Sequence, residues 1–234
     1  MKAPHLSLKD VHAYYGESHI LHGMSFDVHE GECVALLGRN GAGRTTTLRA
    51  ILGLVDKRRG SIKIGQTETI GLPTHRIARL GVGFCPEERA IYSSLSCEEN
   101  LLLPPQVGPG GMSLEEIYQL FPNLAERRHS RGTSLSGGEQ QMLALARILR
   151  TGARLLLLDE ISEGLAPVIV DRLAEVIVQL RGRGYTILLV EQNFNFAADL
   201  VDRMYLIEHG EVIRHIAGSE LQTRYEEIEK LLGI

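Results

Sequence analysis

Apolar and polar residues alternate in Leu6-Ser7-Leu8 and again in Gly23-Met24-Ser25-Phe26-Asp27-Val28. This predicts two short antiparallel strands, the second closing on a turn at 29–32. The alternation then stops: Cys33-Val34-Ala35-Leu36-Leu37 is apolar throughout, as a strand covered on both faces should be. Helical spacing follows over 44–54, then a strand pair at 61–64 and 67–70, a helix opening at Pro73 and running to Leu80, and a short buried strand at 82–85. Residues 154–160 form an apolar run ending in Asp159 and Glu160, Pro167 opens a helix through Leu180, and 186–191 is a further buried strand. A hairpin at 204–207 and 211–216 and an amphipathic helix over 219–232 complete the pattern.

Between about 89 and 134 the texture changes. Ser96-Cys97-Glu98-Glu99 and Ser113-Leu114-Glu115-Glu116 are capping boxes, each opening a short apolar helix, with prolines 104 and 105 and a glycine-rich break at 108–111 between them. We read a helical subdomain over 89–134 inserted into a single domain spanning 1–234. No heptad repeat is sustained there, which excludes a long coiled coil.

The candidate chemistry begins at Gly38-Arg39-Asn40-Gly41-Ala42-Gly43-Arg44-Thr45-Thr46, between an apolar strand and a helix. Glycines let successive backbone N–H groups converge, and the helix start adds its positive dipole end, so this loop should cradle a polyphosphate. Thr45 is placed to offer its hydroxyl to Mg²⁺, and Arg44 stands where the phosphate-loop pattern has lysine. Asp159 and Glu160 lie at a strand end, where open α/β sheets bind ligands: Asp159 can support Mg²⁺ and Glu160 can accept a proton from an attacking water. Glu87 follows the strand at 82–85 and projects toward the same edge. A third capping box, Ser136 with Glu139, opens a strongly amphipathic helix at Leu135-Ser136-Gly137-Gly138-Glu139, a second anion-binding terminus that one chain with one phosphate loop has no use for unless it dimerises. Tyr14 and Tyr15 fall in the connection between the first two strands, either as an aromatic face under an adenine ring or as half-buried loop tyrosines.

Composition narrows the field. The 234 residues suit one α/β domain, and 25 basic against 29 acidic residues give no electrostatic reason to expect nucleic acid. No apolar stretch reaches the roughly 18 residues needed to cross a bilayer, and the charged N-terminus lacks the apolar core of a signal peptide, so the chain is expected to remain in the cytoplasm. Cys33, Cys85 and Cys97 lie in or beside apolar segments as buried free thiols, and the nine histidines show no structural metal spacing.

The order of glycine loop, acidic loop, LSGGEQQ, LLLLDE and a late strand ending in VEQN resembles the ATP-binding subunit of ABC transporters over about residues 6–216. YYGESHILHG, the SEGLAP stretch and VEQN further resemble subunits that drive import of branched-chain amino acids, with close relatives carrying urea, amides and other amino acids. The resemblance implies an α/β P-loop NTPase with a mostly parallel core sheet, an antiparallel β edge subdomain and an inserted helical subdomain. It implies that Tyr15 stacks on adenine, that 38–46 hold the ATP phosphates, and that Thr45, Glu87 and Asp159 stand near Mg²⁺. Glu160 is then the general base and Gln192 takes the position that contacts the γ-phosphate. Leu135, Ser136, Gly137, Gly138 and Glu139 would close on ATP bound to a second ATPase subunit, with 162–165 along the dimer seam. The implied partners are membrane permease subunits, that second subunit and, indirectly, a periplasmic solute-binding protein, at the cytoplasmic face of the inner membrane.

Four positions depart from the family pattern: Arg44 for lysine, Glu87 for an amide, Ile161 for proline and Gln192 for histidine. Arg44 keeps the charge in a longer planar fork, and Gln192 donates a hydrogen bond without charge. They suggest the alternative of a weakly hydrolysing half of a heterodimeric pair. The DNA-repair and translation ATPases of the wider family need a long coiled coil or two ATPase units, and a non-hydrolysing regulator is opposed by Asp159 and Glu160.

Overall fold

The computed structural model describes residues 4–221 and 223–232. In chain order its elements are β1 (Leu6–Tyr15), β2 (Ser18–Val28), β3 (Cys33–Leu37), α1 (Arg44–Leu52), β4 (Lys57–Ile64), β5 (Thr67–Glu68), α2 (Thr74–Ala78) and β6 (Val82–Cys85). Then come α3 (Cys97–Leu102), α4 (Leu114–Leu120), α5 (Pro122–Glu126), α6 (Gly137–Arg150), β7 (Leu155–Asp159) and α7 (Pro167–Gly182). The chain continues through β8 (Thr186–Glu191), α8 (Phe194–Ala198), β9 (Arg203–Glu208), β10 (Glu211–Ala217) and α9 (Tyr225–Leu232).

Six strands form a sheet in the order β10-β9-β3-β8-β7-β6, parallel except for the β9–β10 hairpin. Its central strands are apolar at consecutive positions because both faces are covered. Val34, Leu36, Leu155, Leu157, Leu188 and Val190 pack toward α1 and the second sheet, while Ala35, Leu37, Leu156, Leu158, Ile187 and Leu189 pack toward α6 and α7. The second sheet is antiparallel, in the order β2-β1-β4-β5. The chain from β6 to its neighbour β7 makes a long excursion through α3, α4, α5 and α6 before re-entering the sheet.

Several predicted boundaries are corrected. Strand β1 runs to Tyr15, so Tyr14 and Tyr15 end a strand and only a two-residue turn separates it from β2. The alternation that should have marked this strand is broken by irregular register between Leu8 and Val11, where Asp10 takes a φ of 50°. The bulge pushes the Asp10 carbonyl against β4 where Gly60 sits, at φ 99°, so β4 begins in the polar run Lys57-Arg58-Arg59-Gly60 that the pattern did not assign. β5 stops at Glu68 because the buried Thr69 turns in, with its N–H and hydroxyl both donating to the Ile62 carbonyl at 2.7 and 2.9 Å. At the C-terminus a short 3₁₀ turn spans Gly218–Glu220 and the α-helix begins only at Tyr225, where Ile228 and Leu232 supply a buried face; residue 222 of the predicted helix lies outside the described residues. Among the described residues no helix is long and apolar enough to cross a membrane.

Candidate active site

Three strand ends build the site. β8 lies between β3 and β7, so the loop after β3, the acids ending β7 and the residues ending β8 emerge side by side. The first glycine of the loop has no substitute: a Cβ on Gly38 would stand 2.5 Å from the Ile207 carbonyl oxygen. Gly43 caps α1 at φ 101°, no side chain caps that helix, and no acidic residue occupies its first turn. Its leading N–H groups therefore face outward as an anion seat.

The loop borders a cavity of about 520 Å³ lined by Tyr15, Ile20, Asn40, Gly41, Gly43, Arg44, Thr45, Thr46, Glu87, Glu160 and Glu163. Tyr15 reaches it from the inner face of β1. Tyr14 points the other way, stacked on His19 at 4.3 Å with the Lys57 amine over its ring. Of the two tyrosines, Tyr15 lines the cavity and Tyr14 does not.

Arg44 is buried at the floor of the cavity. Its Nη2 donates to Glu160 Oε1 at 2.7 Å and to Asn40 Oδ1 at 2.9 Å, while its buried Nη1 has no hydrogen-bond partner among the described residues. A buried guanidinium N–H without an acceptor is costly, and a phosphate oxygen is the acceptor this place suits. The residues therefore fit a nucleotide.

Carboxylates crowd this cation. Asp159 is 1% exposed and its Oδ1 accepts from the Thr45 hydroxyl at 3.1 Å. Burial pushes its carboxyl up to about 6, against the pull of Thr45 and with a further push from Glu87. Glu160 follows at φ 46° and donates its N–H to the Val190 carbonyl at 2.9 Å. Its carboxyl is pushed up to about 7 by burial first and by a hydrogen bond with Glu163 second, with Arg44 opposing. Glu191 is raised to about 7 by burial, although the Ser162 hydroxyl and N–H both donate to it. Among the described residues no three His, Cys, Asp or Glu side chains close a metal site by themselves. One carboxylate and one hydroxyl beside a phosphate seat instead suit Mg²⁺, which takes few protein ligands and completes its shell with phosphate oxygens and water.

Gln192 is exposed and lines a second cavity, of about 410 Å³, with Glu160, Ser162, Glu163, Gly164, Glu191 and Asn193. Glu160 and Glu163 border both cavities. Sequence reasoning did not single out Glu163 or Glu191; the available signal was a lone carboxylate ending the apolar run of β8 and a second one three residues after Glu160. Leu135, Ser136, Gly137, Gly138 and Glu139 are elsewhere. Ser136 caps α6 through a reciprocal pair with Glu139, and neither they nor their three neighbours line the cavity of the glycine loop. Ser136 and Glu139 border a separate groove with Arg127, Val168 and Arg172.

Residues 21–163 match the family model described as ABC transporter. The chain is 41% identical over 237 residues to the high-affinity branched-chain amino acid transport ATP-binding protein BraG of Pseudomonas aeruginosa, covering 97% of this chain and 99% of that protein. It is 33% identical over 222 residues to the lipopolysaccharide export system ATP-binding protein LptB of Escherichia coli K12, covering 92% of each. Among solved structures it is similar to the ATP-binding cassette MJ0796, described as dimeric in a post-hydrolysis state bound to ADP and Pi, with a TM-score of 0.78, 25% identity, and coverage of 91% of this chain and 98% of that one.

Proposed function

The chain belongs to the ABC transporter family, as an ATP-binding subunit whose hydrolysis is coupled to transport, and on that premise we propose that it powers import of branched-chain amino acids or related small polar solutes. The observation that carries the substrate class is the likeness to BraG over nearly the whole length of both chains, greater than the likeness to the export subunit LptB. In this reading residues 1–234 form one ATPase domain with a helical subdomain at 89–134. It sits at the cytoplasmic face of the inner membrane, against permease subunits that receive solute from a periplasmic binding protein.

In this reading the residues divide the work as follows. Tyr15 supports the adenine ring, the 38–46 loop and the free Nη1 of Arg44 hold the phosphates, and Glu160 takes the proton of the attacking water. Thr45 and Asp159, with Glu87 at the rim, would hold Mg²⁺, which when bound supplies positive charge against the phosphate oxygens. Burial favours proton acceptance by Glu160, because a carboxylate raised to about 7 is a stronger base than an exposed one. Gln192, which shares the second cavity with Glu160, would contact the γ-phosphate, and the segment 135–139 would serve the ATP of a second ATPase subunit.

A second reading is favoured by one contact. Arg44 holds Glu160 at 2.7 Å, so the phosphate-binding cation and the proposed base neutralise each other until a nucleotide draws the guanidinium away. That arrangement suits a weakly hydrolysing half of a heterodimeric pair. Urea or amide uptake is the alternative cargo.

Reconstitution tests the proposal. The chain is assembled with candidate permease subunits in liposomes, and ATP hydrolysis is followed with and without solute-loaded binding protein, using Glu160→Gln as the control. Stimulation by leucine, isoleucine or valine is expected. Stimulation only by urea or short amides would replace the cargo, and hydrolysis unaffected by Glu160→Gln would remove Glu160 from its role.

A further inference from the structure

Glu160 stands in the left-handed region at φ 46°, a conformation a non-glycine residue holds only when its surroundings fix it. Two fixings come from the end of β8. The Glu160 N–H donates to the Val190 carbonyl at 2.9 Å, and two residues on, Ser162 gives both its donors to the Glu191 carboxylate, the backbone N–H at 3.1 Å and the hydroxyl at 2.9 Å. Ser162 and Glu191 are 6% and 1% exposed, so water does not compete for these bonds. The turn is closed on itself by the Glu163 N–H donating to the Glu160 carbonyl at 3.3 Å.

We infer that Glu191 is a positioning residue for ATP hydrolysis: through Ser162 it clamps the turn after β7 and so aims the Glu160 carboxylate at the attacking water. The inference rests on Glu160 being the base. It requires an acceptor at position 191 and no negative charge there. A glutamine can accept from the Ser162 N–H through its oxygen and donate to the Ser162 oxygen through its nitrogen, whereas a leucine can do neither. The clamp also ties the turn that carries the base to the strand end that carries Gln192, the next residue along, and both Glu160 and Gln192 line the second cavity.

The test is steady-state ATP hydrolysis by the full chain and its E191L, E191Q and S162A variants, with KM for ATP and direct binding of a labelled ATP analogue measured alongside. Displacing a reacting group by about 1 Å costs on the order of 10²-fold in rate. E191L should therefore lower kcat by about that factor and leave KM and analogue affinity within about two-fold, because the phosphate seat is built on another strand. S162A, which keeps the backbone N–H bond, should lower kcat by about ten-fold. E191Q should recover at least about a third of the wild-type kcat. A wild-type kcat in both E191L and S162A would overturn the inference, as would E191Q being as slow as E191L. Should E191L fail to fold, S162A carries the test, and a wild-type kcat in S162A overturns the clamp. Hydrolysis that survives Glu160→Gln would instead overturn the role of Glu160, and the clamp with it; Glu160-dependent hydrolysis indifferent to both sites overturns the clamp alone.

Discussion

Replacing Glu191 by glutamine should stabilise the nucleotide-free chain, by a margin that grows as pH rises from about 5 to about 7. The side chain is 1% exposed; both donors of Ser162 and the Asn193 backbone N–H donate to it, and the Arg44 charge favours its ionised form as well, yet burial outweighs all of them. Burial lifts its carboxyl from 4.5 to about 7. A carboxyl raised in the folded state binds its proton more tightly there than in the unfolded chain, so its contribution to stability is complete below about 4.5 and is lost as pH rises through about 7. Once ionised, the folded form has given up about 3 kcal/mol relative to the protonated one. Glutamine resembles the protonated carboxyl at every pH. The variant should therefore match the wild type at pH 4, gain at about 1.4 kcal/mol per pH unit between 5 and 7, and stay level above that. Urea denaturation followed by far-UV circular dichroism suits a chain with no tryptophan. A stability difference that is the same at pH 5 and pH 8, or a variant weaker than wild type at pH 8, would refute the reasoning.

Further predictions concern other parts of the site and fold. Tyr15→Ala should weaken ATP binding by about 1–3 kcal/mol of base stacking while Tyr14→Ala leaves it unchanged, read by calorimetry, since only Tyr15 lines the cavity. Arg44→Lys should raise the turnover of the chain's own site, because a compact ammonium releases Glu160 more readily than a guanidinium at 2.7 Å; turnover equal to wild type would count against the slow-site reading. Gly38→Ala should cost about 2–3 kcal/mol in thermal or urea unfolding as the loop shifts away from the Ile207 carbonyl. Burial pushes the Cys33 and Cys85 thiols up to about 12 and Cys97 to about 11, so a thiol reagent at pH 8 should label none of them in the folded chain and all three in urea.

Much of this site was legible in the sequence because its parts are local. The glycine loop and the acids at the end of β7 each carry their own pattern within a few residues, as does the separate box at Ser136, and strands covered on both faces announce themselves by unbroken apolar runs. The edge strands were shortened in prediction because the bulge at Asp10 interrupts alternation in β1 and fixes a glycine in the facing strand. Two contacts across strands were not legible. The bond from Ser162 to Glu191 joins residues 29 apart, and the ion pair of Arg44 with Glu160 joins the ends of β3 and β7 with β8 between them. No spacing rule reports such a meeting; only the order of strands in the sheet does.

The excursion between β6 and β7 has a consequence for how such a machine can be altered. Two adjacent parallel strands need one return pass along the sheet, and α6 alone provides it. The segments α3, α4 and α5 are not needed for that return pass, although Leu101, Ile117, Leu120, Phe121 and Leu124 fill the same core as α6 and the sheet. Closing a loop grows only slowly more costly with its length, so the exposed connections between these helices can be lengthened or shortened while their buried faces keep the core filled. A change confined to those connections redraws the outer surface of the molecule and leaves the sheet edge that carries the acids where it stands.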